Sequence, residues 1–377
     1  MVASLIRRWR KVAIAGLAAA TLAGVAAVSG CSSSGTSTTP PASSPGGSQA
    51  SAPLVAFLLP ENVTARWEGS DAPTFKAALT KLVPNARVDV LNALNDPSKQ
   101  QAQAEAELAK GAKALVIAAV DAKAAAVIVT KANTQHVPVI AYDRMISNSP
   151  LAYYVSFDSV AVGKAEAQWM VDHTSQGARL AIIEGSPTDN NAHLVSQGIH
   201  AVLDPLFKSG ARTLVAEQWT PGWDPTTAQR EMEQILTKAG NKVDGVVSAN
   251  DGMAGGIIAA LKAQGLQGKV PTTGQDASLQ GVQNVVLGAQ GVTVFKDIRL
   301  QAPAAAQIVA AILKGQAAAN INAHVSNGQV SVPSVMLQVV PVDKANVNTL
   351  VSNGWITSQF GSLGKVCTGL PAVGICG

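Results

Sequence analysis

The chain reads as an α/β protein of two lobes, each built on a parallel sheet. Three features of the sequence point there. From residue 54 onward, short apolar runs alternate with amphipathic stretches of helical period, which is the pattern of βαβ units. The alternation restarts after Phe157-Asp158, so there are two series rather than one. The apolar runs also keep ending in clusters of Asp, Asn, Arg or Trp. In open parallel sheets the ligand crevice lies beyond the carboxyl ends of the strands, where such clusters would converge.

In order, LVAFLLP predicts a buried strand and DAPTFKAALTKLV an amphipathic helix. RVDVLNA then PSKQQAQAEAELAKG, and KALVIAAV then AKAAAVIVTKANTQ, repeat the pair, and VPVIAY follows as a strand. The second series opens with YYVSF and VAVGKAEAQWMVDH, then ARLAIIEG with a helix over 191–208. TLVAEQW with PTTAQREMEQILTKAG, VDGVVSAN with GMAGGIIAALKAQG, and VPTTGQD complete it. After GVTVFK come one Ala-rich helix, IRLQAPAAAQIVAAILKG, and the strand VPSVMLQVV.

The N-terminal end points to export. Arg7, Arg8, Arg10 and Lys11 precede the run VAIAGLAAATLAGVAAVSG, the layout of a secretory signal over residues 1–30. It closes on Val28-Ser29-Gly30-Cys31, which resembles a bacterial lipobox, and this marks Cys31 for lipidation. The Ser/Thr/Pro/Gly run that follows cannot bury enough surface to offset its ordering entropy, so residues 31–53 read as a lipidated Cys and a disordered tether. The expected location is the outer face of the cytoplasmic membrane, held by lipid alone. The formal net charge is +4 and the first thirty residues carry four basic and no acidic groups, so the remainder is near neutral. No basic surface argues for nucleic acid. The remaining cysteines, Cys367 and Cys376, lie in an exported Gly/Pro-rich tail over 361–377 and read as one disulfide. The five His show no metal-ligand spacing, so neither a metal nor a cofactor is expected.

The strand-end segments ARW (65–67), AYDRMI (141–146), YYVSFD (153–158), GSPTDNNA (185–192), QWTPGW (218–223), SAND (248–251), GQDA (274–277) and VFK (294–296) together resemble the D-xylose-binding proteins. These are sugar receptors of ABC importers within the type I periplasmic-binding family. The resemblance is collinear over about residues 54–358, and YDRMI, DNNA and the paired Trp of QWTPGW are its most specific parts. It implies two Rossmann-like lobes joined by a three-strand hinge, with a monosaccharide between lobes that close on it. The lobes are then expected at 54–157 plus about 296–328, and at 158–295 plus about 329–360. Expected partners are an ABC permease and its ATPase, with the receptor itself a monomer.

Carried over by position, the resemblance implies sugar contacts from Arg66, Trp67, Arg144, Asp189, Asn191, Trp223, Asn250, Asp276 and Lys296. The chemistry suits a pyranose. Trp faces cover C–H faces with little conformational freedom to lose, while carboxylates accept from hydroxyls and Arg and Lys donate to them. Trp67 and Trp223 fall in different lobes and could sandwich the ring. Trp169, inside a helix pattern, and Trp219, on a strand, read as packing residues. An Asp after a strand commonly caps the next helix, so Asp143 and Asp251 read as loop-holding residues, and Asn190 beside Asn191 is placed with them. FKDIR (295–299) and WDP (223–225) are closer to multi-sugar receptors for glucose, galactose or arabinose, which makes that the alternative ligand class.

Two other functions fit less well. Glycoside hydrolysis needs two carboxylates across the bond, but the cationic neighbours here would hold carboxylates ionised. No GxSxG, HExxH or phosphate-loop pattern occurs. A sugar-responsive repressor needs an N-terminal helix-turn-helix where this chain has its signal and lipobox. A receptor that also feeds a chemotaxis or sensor protein stays compatible.

Overall fold

The computed structural model describes residues 52–377. The signal run 1–30, Cys31 and the tether as far as residue 51 lie outside the described residues. The first lobe is a seven-stranded sheet. Its strands β1 (Leu54–Leu59), β2 (Arg87–Asn92), β3 (Ala114–Ile117), β4 (Val139–Tyr142) and β5 (Tyr153–Phe157) run parallel. All six residues of β1 are buried, because the strand is central and covered on both faces. The helices between them are α1 (Ala72–Leu82), α2 (Pro97–Ala109) and α3 (Ala126–Thr134). Asp96 starts α2 by accepting from the amides of Ser98 and Lys99, with Pro97 at the first helical position, where no amide donor is needed.

The second lobe is centred on β6 (Arg179–Glu184), flanked in parallel by β7 (Thr213–Trp219) and β8 (Gly245–Ser248). Single parallel bridges, Val246 to Thr272 and Gln275 to Val294, link β8 to β9 (Val292–Phe295). VPTTGQD therefore does not form the regular strand that its pattern predicts, but a bent connector pinned at two points. The helices of this lobe are α4 (Ser159–Asp172), α5 (Asn190–Lys208), α6 (Pro225–Ala239), α7 (Asp251–Ala263) and α8 (Leu279–Leu287). The last of these has no counterpart in the sequence reading.

The chain passes between lobes three times: from β5 into α4, from β9 into α9 (Ile298–Leu313), and after residue 337. The third crossing differs from expectation. VPSVMLQVV is not one strand beginning a return to the second lobe near residue 329. It splits into β11 (Ser331–Leu337), parallel to β5, and β12 (Val340–Asp343), antiparallel to β9, with β10 (Ala323–Ser326) on the outer edge of the first sheet. The crossing lies between β11 and β12, because Ser334–Leu337 keep a parallel register with Tyr154–Phe157. The Asp158 amide donates to the Leu337 carbonyl at 3.1 Å, tying two crossings together.

The C-terminal segment forms α10 (Thr349–Ser352), α11 (Trp355–Phe360) and α12 (Leu363–Cys367), the last of which packs on α8. Buried Trp355 donates its indole N–H to the Ala277 carbonyl at 3.1 Å, and Cys367 is bonded to Cys376.

Helices α4 and α5 cross at unusually close range through two glycines. A Cβ on Gly163 would overlap the Val195 carbonyl, and one on Gly198 the Val160 carbonyl. Gly163→Ala is expected to cost about 1–3 kcal/mol through forced separation of the helices. Gly69→Ala, which meets nothing within 4 Å, should be neutral or slightly stabilising. Urea unfolding midpoints of the two variants check this.

Candidate ligand site

The strand tips of both lobes close around one cavity. Thr64, Arg66, Trp67, Asp143 and Arg144 reach it from the first lobe, and Asp189, Asn191, Trp223, Asn250, Gln275, Asp276 and Lys296 from the second. All nine residues carried over from the resemblance therefore line a single space. Asp143, read from sequence as a loop-holding residue, lines it too. Asn190 does not: it opens α5, half-buried, outside the cavity wall.

Local geometry explains how each side chain arrives. The loop after β1 ends in a π-helical turn, Trp67–Asp71, that runs into α1 and starts beside Arg66. Asp189 is the cap of α5 and accepts from the Asn191 amide at 2.9 Å, which sets both residues at the helix mouth. Asn250 caps α7 through the Met253 amide at 2.8 Å. Asp143, Trp223 and Asp276 all have left-handed backbones, with φ of 62°, 58° and 97°. Neighbouring strands hold two of these against the strain: the Asp143 amide donates to Val155 at 2.8 Å and the Asp276 amide to Val294 at 2.9 Å. The Trp223 indole lies flat against Gly185, where any Cβ would overlap the ring.

Of the loop-holding roles read for Asp143 and Asp251, the helix-capping part does not hold. Asp251 does not cap α7; Asn250 does. Asp251 is buried and ties the second lobe's loops together, accepting from Gln290 at 2.7 Å, the Ser278 amide at 2.9 Å and Thr293 at 3.0 Å. Asp143 caps nothing, since no helix follows β4. Trp169 is half-exposed rather than a core residue, stacked 3.9 Å from the His173 ring. Trp219 packs against His193, away from the cavity.

The charges form two buried networks. Arg66 binds Asp71 with two nitrogens at 2.9 and 2.7 Å, Asp143 at 3.0 Å and Gln301 at 2.6 Å, and lies 3.9 Å from Asp276. Tyr142 also donates to Asp71. Arg144 bonds to Asp189 at 2.8 Å and Glu61 at 3.1 Å; Glu61 accepts from the Trp67 indole, and Asp189 from that of Trp223 at 3.1 Å. Lys296 sits 2.7 Å from Asp276. Several bonds join the lobes. Arg144 reaches Asp189, Asn191 donates to the Asp143 carbonyl at 2.9 Å, and the Ala122 amide donates to the Thr188 carbonyl at 2.9 Å.

Burial and charge set the protonation states. Burial pushes the Asp143 carboxyl up, but Arg66 and Lys296 pull harder and hold it at about 2. Burial wins at Asp189, which is raised despite Arg144, and at Asp71, raised despite Arg66. Three cations (Arg66, Arg144, Lys296) and three carboxylates (Asp143, Asp189, Asp276) line the cavity. The balance suits a neutral ligand with many hydroxyls, each finding a donor and an acceptor.

Sequence reasoning missed the residues that hold the wall in place. Glu61, Asp71, Tyr154 and Gln301 all bond to cavity residues, and Tyr142 donates to Asp71 behind them. Thr64 and Gln275 line the cavity, the first beside the ARW motif and the second inside GQDA. Gln301 lies one turn inside α9, where nothing in the local pattern marks it.

A model of the periplasmic binding protein domain matches residues 55–317. The chain belongs to the periplasmic binding protein family. A D-xylose-binding periplasmic protein of Haemophilus influenzae is 40% identical over 275 residues, 73% of this chain and 82% of that protein. A multiple sugar-binding periplasmic protein of Azospirillum brasilense is 35% identical over 328 residues, 82% of this chain and 91% of its own. Among solved structures, a carbohydrate transporter solute-binding protein of Chloroflexus aurantiacus with D-glucose superposes with a TM-score of 0.74 at 32% identity, over 80% of this chain and 96% of that one. This periplasmic binding protein thus shares its two-lobe frame with proteins whose names and complexes place sugars in them.

Asp143 contributes to acid stability with a definite sign. Its folded value of about 2 lies below the ordinary 3.8, so its stabilisation is complete above pH 3.8 and is lost as pH falls through about 2. Asp143→Asn should flatten the acid limb of the stability curve between those values, measured by denaturant unfolding at stepped pH. Asp71→Asn removes one partner of a buried pair and should cost about 3–5 kcal/mol, visible as a lowered Tm in the same preparations.

Proposed function

We propose that this periplasmic binding protein is the receptor of an ABC sugar importer and that it binds one monosaccharide, D-xylose first, between its lobes. One observation carries the reading: two Trp and a balanced set of donors and acceptors, contributed by both lobes, line one cavity. Two relatives that match most of this chain are named for xylose and for multiple sugars. The ligand would take the places that Arg144–Asp189 and Asn191–Asp143 now bridge across the cleft, so that its hydroxyls complete the same network. Trp67 and Trp223, 2% and 5% exposed, would cover its two faces. Closure around the sugar is the signal that a permease with its ATPase reads.

The function proposed is binding without catalysis. Each lining carboxylate is bonded to a cation or an indole, an arrangement that accepts hydroxyls rather than one that holds a proton ready for a leaving group. The chain would act as an exported monomer, held at the outer membrane face through Cys31; among the described residues no helix is long and apolar enough to cross a membrane. The second reading, a receptor for glucose, galactose or arabinose, has support in WDP and FKDIR and in the Azospirillum relative.

Calorimetric titration with a panel of pentoses and hexoses tests both. D-xylose should bind with 1:1 stoichiometry and quench or shift Trp fluorescence. A response to glucose or galactose but not to xylose selects the second reading, and no response to any monosaccharide overturns the class. Trp223→Ala should weaken binding about 30-fold or more, the scale of a buried aromatic anchor, while Trp169→Ala leaves affinity within about twofold. Equal losses would remove Trp223 from the ligand.

A further inference from the structure

Glu184, His200 and Glu217 meet on the second lobe, outside the sugar cavity. They come from the end of β6, the middle of α5 and β7, and their ligand atoms all lie within 4.8 Å of one another. Spacing along the chain gave no hint of this, since a helix and two strands bring the three together. The His200 Nε2 is 3.4 Å from a Glu217 oxygen and 3.9 Å from a Glu184 oxygen. Its Nδ1 is bonded to Asp204 at 2.8 Å, one turn further along the helix.

The second observation is Glu184 itself. Its side chain is fully buried, and neither oxygen finds a hydrogen-bond partner of normal geometry. Burial pushes the carboxyl up to about 7 with added repulsion from Glu217, while the Ser196 hydroxyl and His200 pull it back. Among the described residues no Lys or Arg pairs with Glu184, Asp204 or Glu217. Three carboxylates thus share one imidazole, with no other cation paired to any of them among the described residues.

We propose that Glu184, His200 and Glu217 form a binding site for a divalent transition-metal cation of the zinc class. Donors at tetrahedral angles around an ion with bonds of about 2.0–2.1 Å stand about 3.3 Å apart. The His200–Glu217 pair already has that spacing at 3.4 Å, while Glu184, 3.9 Å from His200 and within 4.8 Å of Glu217, must swing inward to complete the triangle. The Nδ1–Asp204 bond is the outer-shell support that fixes a metal-bound imidazole in the right tautomer. One imidazole with two carboxylates favours zinc, manganese or cobalt over magnesium, which prefers oxygen donors and water. Half-exposed Glu217 and His200 leave an entry path and room for a bound water. The ion would clamp α5 to β6 and β7. The mouth of α5 carries Asp189 and Asn191, and β6 runs directly into the loop that presents them.

The test uses the untagged, chelator-stripped protein, titrated with Zn2+ and with Mg2+ as control. Zn2+ should bind at one equivalent and raise Tm by several degrees; Mg2+ should do neither. Co2+ should give visible absorption bands of a low-coordinate nitrogen–oxygen site. His200→Gln and Glu217→Gln should each weaken Zn2+ binding at least tenfold and abolish the Tm rise. Both variants keep the sheet and leave the sugar cavity untouched, so sugar affinity should stay within about twofold. The absence of stoichiometric Zn2+ binding, an equal Tm response in the variants, or equal binding of Mg2+ would each overturn the proposal and leave the cluster as a proton-sharing pair.

Discussion

The guanidinium of Arg66 is the interaction on which the rest of this structure depends. It is buried among Asp71, Asp143 and Gln301, and it joins the start of α1, the tip of β4 and the first turns of α9. Those are the segment after the first strand, the edge of the ligand cavity and the chain just past the second crossing. An arginine held this deep is tolerated only because two carboxylates and an amide answer its donors, and they in turn raise its affinity for its proton. Any ligand that enters must work within that charge balance.

The balance extends across the cleft. Arg144 and Asp189 face each other from opposite lobes, as do Asn191 and Asp143, while Lys296 and Asp276 sit by the second crossing. Polar groups closed off from water need partners, at about 1–3 kcal/mol for each one left unmet. In the structure they pair with one another; with a polyhydroxylated ring present, its hydroxyls would take over part of that pairing. The same requirement explains why such a cavity discriminates: an epimer that points one hydroxyl wrongly leaves both a donor and an acceptor unsatisfied.

Backbone strain is placed where the chemistry needs it. Asp143 and Asp276 turn through left-handed conformations immediately after a strand or its equivalent, and Trp223 does so at the end of the short helical turn Pro221–Trp223 that follows β7. Each turn aims a side chain sideways into the cleft that an ordinary strand end would point along the sheet. Gly185 performs the complementary task, giving up its side chain so that the Trp223 ring can lie flat against the backbone.

Much of this was legible from the sequence alone, because it is written in local periodicity and composition. The βα alternation depends on nearest neighbours, and the helices read from PSKQQAQAEAELAKG, VAVGKAEAQWMVDH and PTTAQREMEQILTKAG begin within a residue of where the pattern put them. The nine polar and aromatic residues of the cavity were reached through the family resemblance of the strand-end segments, which lie where a parallel sheet exposes chemistry. What only the tertiary structure decided depends on groups far apart in the chain. VPSVMLQVV divides between two sheets because Ser334–Leu337 find a partner in β5, a choice that no local pattern encodes. Asn250 rather than Asp251 caps α7, because Asp251 has better partners in Gln290, Ser278 and Thr293, up to 42 residues away. Gln301 reaches Asp143 across 158 residues, and Glu184, His200 and Glu217 meet only when two strands and a helix are packed. Local sequence determined which segments are strands and helices and which ends carry chemistry; long-range packing decided which of those groups satisfy one another.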